Sequence, residues 1–487
     1  MNLIGYLSKS KINPSSAAII YGENALTYSE FFGYINAYKE YYKKSGVKKD
    51  SKIAILSKNN LEFVISIFSL WQLEAIPILL NTKLIKDEIL ELTKFSGCDF
   101  LLTEISFKDL NLSDSIKVFY YPDKKKIDAK AHLDENEVNL DDTAVIIFTS
   151  GSTGKPKGVL LSFNNLIQSA LTGNQLFNHV KNDRWLASLP FYHVGGFSII
   201  MRALLNGVTI ILPENLRIGS IQNAIQKKHP THASFVSTQL KRLIENNIKP
   251  NPELRHILLG GGFLDADLVK DALNKGWNVF KSYGSTETAS FVTALTPDEF
   301  KNKMESAGKV LFPNNIMIVD ENRKLLKLKT TGEVAVKGKS VAKGYINNGE
   351  ETTRKFKDDI YFTGDYGFID EECYLFIEAR RNDLIVSGGE NINPFEVESE
   401  LLKHPLILEV SVLGLEDKEW GYIAAAVIKT SGNKTIELEE LKLFLKDKLA
   451  GFKIPKRIFI LDNLPKTEMG KVQKEKLKEI ILERKNI

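Results

Sequence analysis

Apolar positions along the first half of the chain fall into two alternating patterns. Over Tyr28–Lys44, Asn60–Leu73 and Thr82–Leu92 they recur every three or four residues, the period of an amphipathic helix. Between these lie short apolar runs of strand length, Lys52–Leu56, Ile76–Leu79 and Phe100–Leu102. Helices separating such runs predict parallel sheets with crossover helices, the layered α/β class. Further runs of this kind occupy Ala144–Phe148, Thr209–Leu212, Ala233–Val236, His256–Leu259 and Val279–Tyr283. From Thr331 the texture changes to GEVAVKG, YFTGDYGFID and CYLFIEAR, strands divided by Gly and Asp turns, as in an antiparallel unit. A final α+β segment begins near Asn382 and contains an apolar strand over Ile423–Lys429. Charged residues at Arg380–Asp383 separate two apolar strands, so two domains are expected, 1–380 and 381–487. The acidic stretch Asp134–Asp142 reads as a solvated linker. Val64–Leu80 is apolar but interrupted by Gln72, Glu74 and Pro77, which fits a buried helix feeding a strand better than a membrane span.

Bulk properties narrow the partners. At 487 residues the chain is too long for a single core. Its formal charge of +4, from 65 basic and 61 acidic residues, is too small to argue for nucleic acid or an anionic membrane surface. Cys98 and Cys373 stand far apart without a C-x-x-C, which excludes a disulfide framework and a thiolate zinc site and fits a cytoplasmic enzyme. The opening MNLIGYLSKSKINPSS lacks the apolar centre of a signal peptide. The seven His show neither H-E-x-x-H nor any other ligand spacing, so no dedicated metal cage is expected.

Chemistry enters at TSGSTGKPKGV, Thr149–Val159. Thr149, Ser150, Ser152 and Thr153 offer hydroxyls, Gly151 and Gly154 let successive N–H groups converge on an anion, and Lys155 and Lys157 bring charge. Pro156 stands where a Walker A loop requires Gly, so this loop does not run directly into a helix. In SYGSTET, Tyr283 presents a flat face suited to a base, Thr286 a hydroxyl suited to phosphate, and Glu287 a hard oxygen suited to Mg²⁺. Asp365 follows the tight turn of YFTGD, where a carboxylate can accept from a ribose. SGGEN places Gly388 and Gly389 at a strand exit, and PKTEMGK places Lys471 on a Gly turn. Taken singly, each of these also fits a plain turn or a surface lysine.

Together, in this order and spacing, they resemble the adenylate-forming superfamily of acyl-CoA synthetases, peptide-synthetase adenylation domains and firefly-type luciferases. The resemblance spans nearly the whole chain, from TYSEFF at Thr27 to the Lys471 turn. It implies a large N-terminal domain of layered α/β sheets with a β-barrel-like subdomain, and a small mobile α+β C-terminal domain. It also implies ATP and Mg²⁺ as cofactors and coenzyme A as thiol substrate. Thr149 to Lys157 would grip the departing pyrophosphate, and Tyr283 would stack on adenine. Thr286 would bind the α-phosphate and Glu287 the metal, while Asp365 and Arg380 would take the ribose hydroxyls. Lys471 would act in adenylation. The pivot of the mobile domain would follow Arg380, at Asn382, where family members commonly carry Lys or Asp. Gly388 and Gly389 would line the pantetheine tunnel.

The acid is addressed by FYHVGGFSIIMRALLNG. In a helix from about Phe197, Ser198 and Arg202 lie four apart and share a face. If that face lines the acyl pocket, Arg202 would pair with a second carboxylate; otherwise it reaches solvent from the helix flank. These phrases, with THASFVSTQLKRL and LLGGG (Gly260, Gly261, Gly262), resemble the 2-succinylbenzoate–CoA ligase subfamily of menaquinone synthesis. That resemblance implies a dianionic acid held near His193, Ser198 and Arg202, with Gly261 assigned to the nucleotide. Gly195 departs from the Ser expected after His-Val. The alternatives are another acyl- or aryl-CoA ligase, for a benzoate-like or medium-chain acid, and a luciferase-like oxidoreductase. The oligomeric state stays open.

Overall fold

The protein is described by a computed structural model covering residues 12–110, 112, 116–124, 129, 139–149, 156–261, 266–380, 385–387, 390–417, 420–449, 451–467 and 470–483. The chain forms two compact units, one of residues 1–315 with 336–361, the other of 316–335 with 362–487. The second unit therefore takes in strand segments ahead of residue 380 as well as the C-terminal segment.

In the first unit, β1 (Ala17–Tyr21) and β2 (Asn24–Thr27) make an antiparallel hairpin. A sheet of six strands follows, built from β3 (Lys52–Leu56), β4 (Ile76–Leu80), β5 (Phe100–Thr103), β6 (Lys117–Tyr120), β7 (Thr143–Thr149) and β8 (Lys157–Ser162), in the order β6-β5-β3-β4-β7-β8. All its pairings are parallel except β7 with β8. The second run of strands comprises β9 (Arg184–Leu186), β10 (Thr209–Leu212), β11 (His232–Phe235), β12 (His256–Leu259), β13 (Val279–Ser285), β14 (Ser290–Leu295) and β15 (Gly308–Val310), ordered β15-β14-β13-β12-β11-β9-β10-β1-β2. From β13 to β1 it is parallel, so the C-terminal ends of β9, β11, β12 and β13 open on one edge, where α/β sheets bind ligands.

Local chemistry sets the crossover helices. Thr27 and Glu30 form a reciprocal capping box at the head of Tyr28–Lys44, with Glu30 N to Thr27 Oγ1 at 3.2 Å and Thr27 N to Glu30 Oε2 at 2.8 Å. Asn60 caps Leu61–Gln72 by accepting from Phe63 N at 2.7 Å. The helix expected over Thr82–Leu92 lies instead at Lys86–Ser96. Asn81 accepts from Lys83 N at 2.9 Å and holds the preceding residues in a turn, while Glu88 accepts from Ile85 N at 2.9 Å. Gly97, at φ +64°, ends the helix.

In the second unit, β16 (Asn315–Val319), β17 (Gly332–Lys337), β18 (Ile360–Ile369) and β19 (Tyr374–Arg380) are neighbours in that order, and β18 pairs antiparallel with β19. A five-stranded sheet centred on Ile407–Asp417 and Gly421–Thr430 carries the C-terminal segment. Its period-2 alternation fills two cores. Val412, Ala424, Ala426 and Ile428 pack with Val397, Leu441 and Leu445, whereas Leu413, Leu415, Ile423 and Val427 pack with Leu477 and Ile481. No helix among the described residues is long and apolar enough to cross a membrane.

The β7–β8 pairing runs to Thr149 opposite Lys157, so the Gly-rich segment leads into a strand, as Pro156 predicts. Lys157 is buried and pairs with Glu351 at 2.6 Å, and Arg354 holds the same carboxylate at 2.6 Å. Burial alone would raise the Glu351 pKa, but hydrogen bonds from Arg354 and Lys157, with their charges, carry it down to about 2. A carboxylate depressed in the folded state stabilises fully above its unfolded value and loses that contribution as the pH falls through the folded one. Glu351→Gln should therefore cost about 3 kcal/mol near neutral pH by stranding Lys157. Denaturation curves of variant and wild type should converge as the pH drops from about 4.5 toward about 2; a gap independent of pH would exclude the ion pair as its cause.

Candidate active site

The helix bearing Arg202 spans Val194–Leu205, starting before Phe197, with His193 as its N-cap residue. Its early start depends on Gly196, because a Cβ there would lie 2.0 Å from the Pro190 carbonyl oxygen. Gly195 is less constrained, since its Cβ would meet only Leu189 Cδ1, at 3.3 Å. The solvent-reaching alternative for Arg202 is excluded, as the residue is 1% exposed. Its Nη2 donates to Ser198 Oγ, one turn back, and to Ser290 Oγ at 3.0 Å. Its guanidinium lies over Phe291 at 4.9 Å and Trp185 at 5.4 Å. Nε and Nη1 are buried without a hydrogen-bond partner. Burial lowers the Arg202 pKa to about 9, so the group stays charged at neutral pH. No carboxylate among the described residues pairs with it.

Ser290 links this cation to the SYGSTET segment. Its hydroxyl meets Arg202, while its carbonyl accepts from Thr288 Oγ1 at 2.8 Å. Thr286–Thr288 form a single 3₁₀ turn, and Thr288 Oγ1 accepts from Ser285 N at 3.0 Å. This turn carries Thr286, half-buried, and Glu287, buried. Glu287 Oε1 accepts from the Tyr345 hydroxyl at 2.9 Å, and Glu287 O accepts from Ala342 N at 2.7 Å. Burial, then the neighbouring Glu287 charge, pushes the Tyr345 pKa far up, so the phenol stays a donor. A carboxylate has about four acceptor positions, so one hydrogen bond leaves Glu287 able to take a hard cation.

Tyr283 is half-buried on β13, opposite Thr293 of β14. The strand approaches β14 closely at Gly284, where a Cβ would fall 1.9 Å from Ser290 O. Beside it, Gly260 lets the end of β12 lie against Ser282, whose Oγ would sit 2.7 Å from a Cβ. Gly261 follows at φ +89°, a left-handed conformation. His193 N donates to Pro190 O at 3.1 Å, and its ring lies 4.8 Å from that of Tyr192. The first unit thus brings Tyr283, Thr286, Glu287, Gly260 and Gly261 to the ends of β12 and β13, and ties Ser198 and Arg202 to them through Ser290.

In the second unit, Asp365 is buried and faces Arg380 across the β18–β19 ladder. The tight turn expected of YFTGD is not formed: Gly364, at φ +79°, lies within β18, with its N–H on Glu333 Oε1 at 2.9 Å. The Asp365 N–H donates to Thr363 Oγ1 at 3.0 Å. Lys471 is exposed on a turn closed by Thr467 N to Lys471 O at 2.7 Å, with Gly470 at φ +78°. Ser150, Gly151, Ser152, Thr153, Gly154, Lys155, Gly262, Asn382, Gly388 and Gly389 lie outside the described residues, as does the Arg380 side chain. Thr149 Oγ1 donates to Lys157 O at 3.5 Å at the base of the hairpin. Lys157, held by Glu351, is a committed cation at the base of the Gly-rich segment. Sequence reading passed over Ser290, Tyr345 and Glu351. Ser290 stands two residues beyond SYGSTET and was within reach, but the other two are brought in only by the fold.

Residues 8–346 match the AMP-binding enzyme family and residues 396–471 the AMP-binding enzyme C-terminal domain. A 2-succinylbenzoate–CoA ligase of Bacillus subtilis (strain 168) is 35% identical over 97% of either chain. One of Geobacillus sp. (strain WCH70) is 33% identical over 99% of this chain and 98% of its own. Among solved structures, the o-succinylbenzoate CoA synthetase of Bacillus subtilis in complex with the acyl-adenylate intermediate OSB-AMP superposes with a TM-score of 0.90 at 35% identity, covering 97% of each chain. ATP-bound MatB from Rhodopseudomonas palustris gives 0.89 at 26% identity over 98% of each. The chain belongs to the AMP-binding enzyme family.

Proposed function

We propose that this chain joins 2-succinylbenzoate to coenzyme A at the expense of ATP, as an AMP-forming acid–thiol ligase of menaquinone biosynthesis in the cytoplasm. The observation that carries the choice of acid is the buried Arg202 guanidinium, which has hydroxyl partners and two unsatisfied nitrogens but no carboxylate. An enclosed charge of this kind is costly unless an anion reaches it. The ring carboxylate of 2-succinylbenzoate supplies that anion while its succinyl carboxylate remains for activation. A fatty acyl tail would leave the charge unpaired. Relatives bearing the ligase name, and a solved relative holding OSB-AMP, support the same reading.

In the first half-reaction a succinyl carboxylate oxygen attacks the α-phosphorus of ATP, and pyrophosphate leaves. This gathers negative charge at one point, so the chain's part is to place donors and cations there. Thr286 donates to the α-phosphate, Tyr283 lies along adenine, and Gly260 and Gly261 let the substrates approach the strand ends. Lys155 and the hydroxyls of Ser150, Ser152 and Thr153 hold the leaving pyrophosphate. Bound Mg²⁺ supplies charge neutralisation at the phosphates. Glu287, oriented by Tyr345, is the residue that would hold it. Asp365 and Arg380 take the ribose, and Lys471 brings its ammonium to the reacting carboxylate. In the second half-reaction the coenzyme A sulfur attacks the acyl carbonyl and AMP leaves, with Gly388 and Gly389 admitting the pantetheine arm after the C-terminal domain turns about Asn382.

Two expectations test these roles. Lys471→Ala should cut pyrophosphate release severely yet spare thioester formation from supplied acyl-adenylate, and equal loss in both steps would remove Lys471 from the adenylation step. Arg202→Ala should raise KM for 2-succinylbenzoate about 10- to 150-fold, the equivalent of roughly 1.5–3 kcal/mol for a charge-assisted contact. An unchanged KM in a folded variant would take Arg202 out of the pocket.

A further inference from the structure

At the opposite, N-terminal ends of the parallel strands, residues far apart in sequence converge. His232 opens β11 and His256 opens β12, and the parallel register sets them side by side, rings stacked 4.8 Å apart. Asp183 directly precedes β9, and His179 follows the helix Phe163–Phe177. The His179 and His232 rings lie 4.9 Å apart, and one ligand-capable atom from each of His179, Asp183 and His232 falls within 4.8 Å of the other two. Asp183 and His232 are buried, and His179 is nearly so, with 8% of its side chain exposed.

Hydrogen bonds hold the side chains around this cluster. Thr231 Oγ1 donates to Arg184 O at 3.1 Å and accepts from Arg184 N at 2.9 Å. Thr231 Oγ1 also lies 2.8 Å from His232 Nδ1, so that ring nitrogen has a hydrogen-bond partner. Nε2 of His232 is buried and without a hydrogen-bond partner. Both nitrogens of His179 are also buried without such a partner, its Nδ1 standing 3.7 Å from Asp183 Oδ2. Asp183 is oriented by Arg255 on Oδ1 at 2.5 Å and by Val180 N on Oδ2 at 2.9 Å. A ring nitrogen hydrogen-bonded to an oxygen through its far side and a carboxylate fixed by its own partners are what surround metal-bound His and Asp.

We infer that His179, Asp183 and His232 form a site for a late first-row divalent metal ion of the Zn²⁺ or Co²⁺ class, separate from the Mg²⁺ that accompanies ATP. Two imidazoles and one carboxylate favour such an ion over Mg²⁺, which prefers oxygen ligands. Donors about 2 Å from a tetrahedral ion sit roughly 3.3 Å from one another, so small side-chain rotations close the cluster. The ion would fasten the segment before β9 to the head of β11. Trp185 stands between this site and the acyl pocket, touching His232 at 5.0 Å and Arg202 at 5.4 Å.

The test uses the untagged full chain, freed of metal and without nucleotide, titrated with Co²⁺. One equivalent should bind with the visible d–d absorption of a low-coordinate ion, bleached by Zn²⁺ and unchanged by excess Mg²⁺, and the thermal midpoint should rise. His179→Gln should weaken Co²⁺ binding by at least 10- to 100-fold while leaving the metal-free midpoint in place. His404→Gln, in the other unit, should bind as the wild type does. Absence of the band in wild-type protein, or a band that survives His179→Gln, overturns the site. The wild-type titration decides this even if a variant misfolds.

Discussion

A guanidinium shut away from water needs an anion, and among the described residues Arg202 has none. Its surroundings supply two serine hydroxyls and two aromatic faces, enough to fix its direction but not to balance its charge. The packing around it is built for that purpose. A Cβ at Gly173 of the neighbouring helix would lie 3.3 Å from Arg202 Cδ, Gly196 lets the helix of Arg202 begin against Pro190, and Gly284 brings Ser290 within reach. Adding a side chain at any of these would move the cation or one of its partners.

From this cation a few hydrogen bonds lead to the turn of Thr286 and Glu287, the proposed nucleotide-facing segment. Ser290 touches Arg202 with its hydroxyl and Thr288 with its carbonyl, and Thr288 steadies the turn that presents Thr286 and Glu287. Tyr345 and Ala342, from a distant part of the same unit, fix Glu287 in turn. The proposed acid-binding Arg202 and the proposed metal-binding Glu287 are thus linked through one short segment. The adenylate-forming fold serves this by ending its parallel strands together, so that small residues at their tips leave room where the substrates meet.

Much of the fold was legible because period and capping agree along the chain. Tyr28–Lys44 reads as a helix to the residue, with Thr27 and Glu30 marking its start. The exceptions have local causes, as when Asn81 diverts the chain into a turn and delays the next helix to Lys86. Motifs carried by consecutive residues were also visible, and the superfamily followed from their order. What spacing could not reveal was anything assembled across the fold. The burial of Arg202, its bond to Ser290, the pairing of Lys157 with Glu351 and the meeting of His179, Asp183 and His232 each join residues from separate elements. His179, His232 and His256 looked uninformative in sequence because strand register and the chain's return beside it, not linear spacing, bring them together.

The central claim is that a buried cation selects a second carboxylate on the acid. The most direct measurement is pyrophosphate release by the wild-type protein with 2-succinylbenzoate and with 4-oxo-4-phenylbutyrate, which differs only by lacking the ring carboxylate. The account predicts that kcat/KM falls by about 10-fold or more when that carboxylate is removed. Equal kcat/KM for the two acids would contradict it.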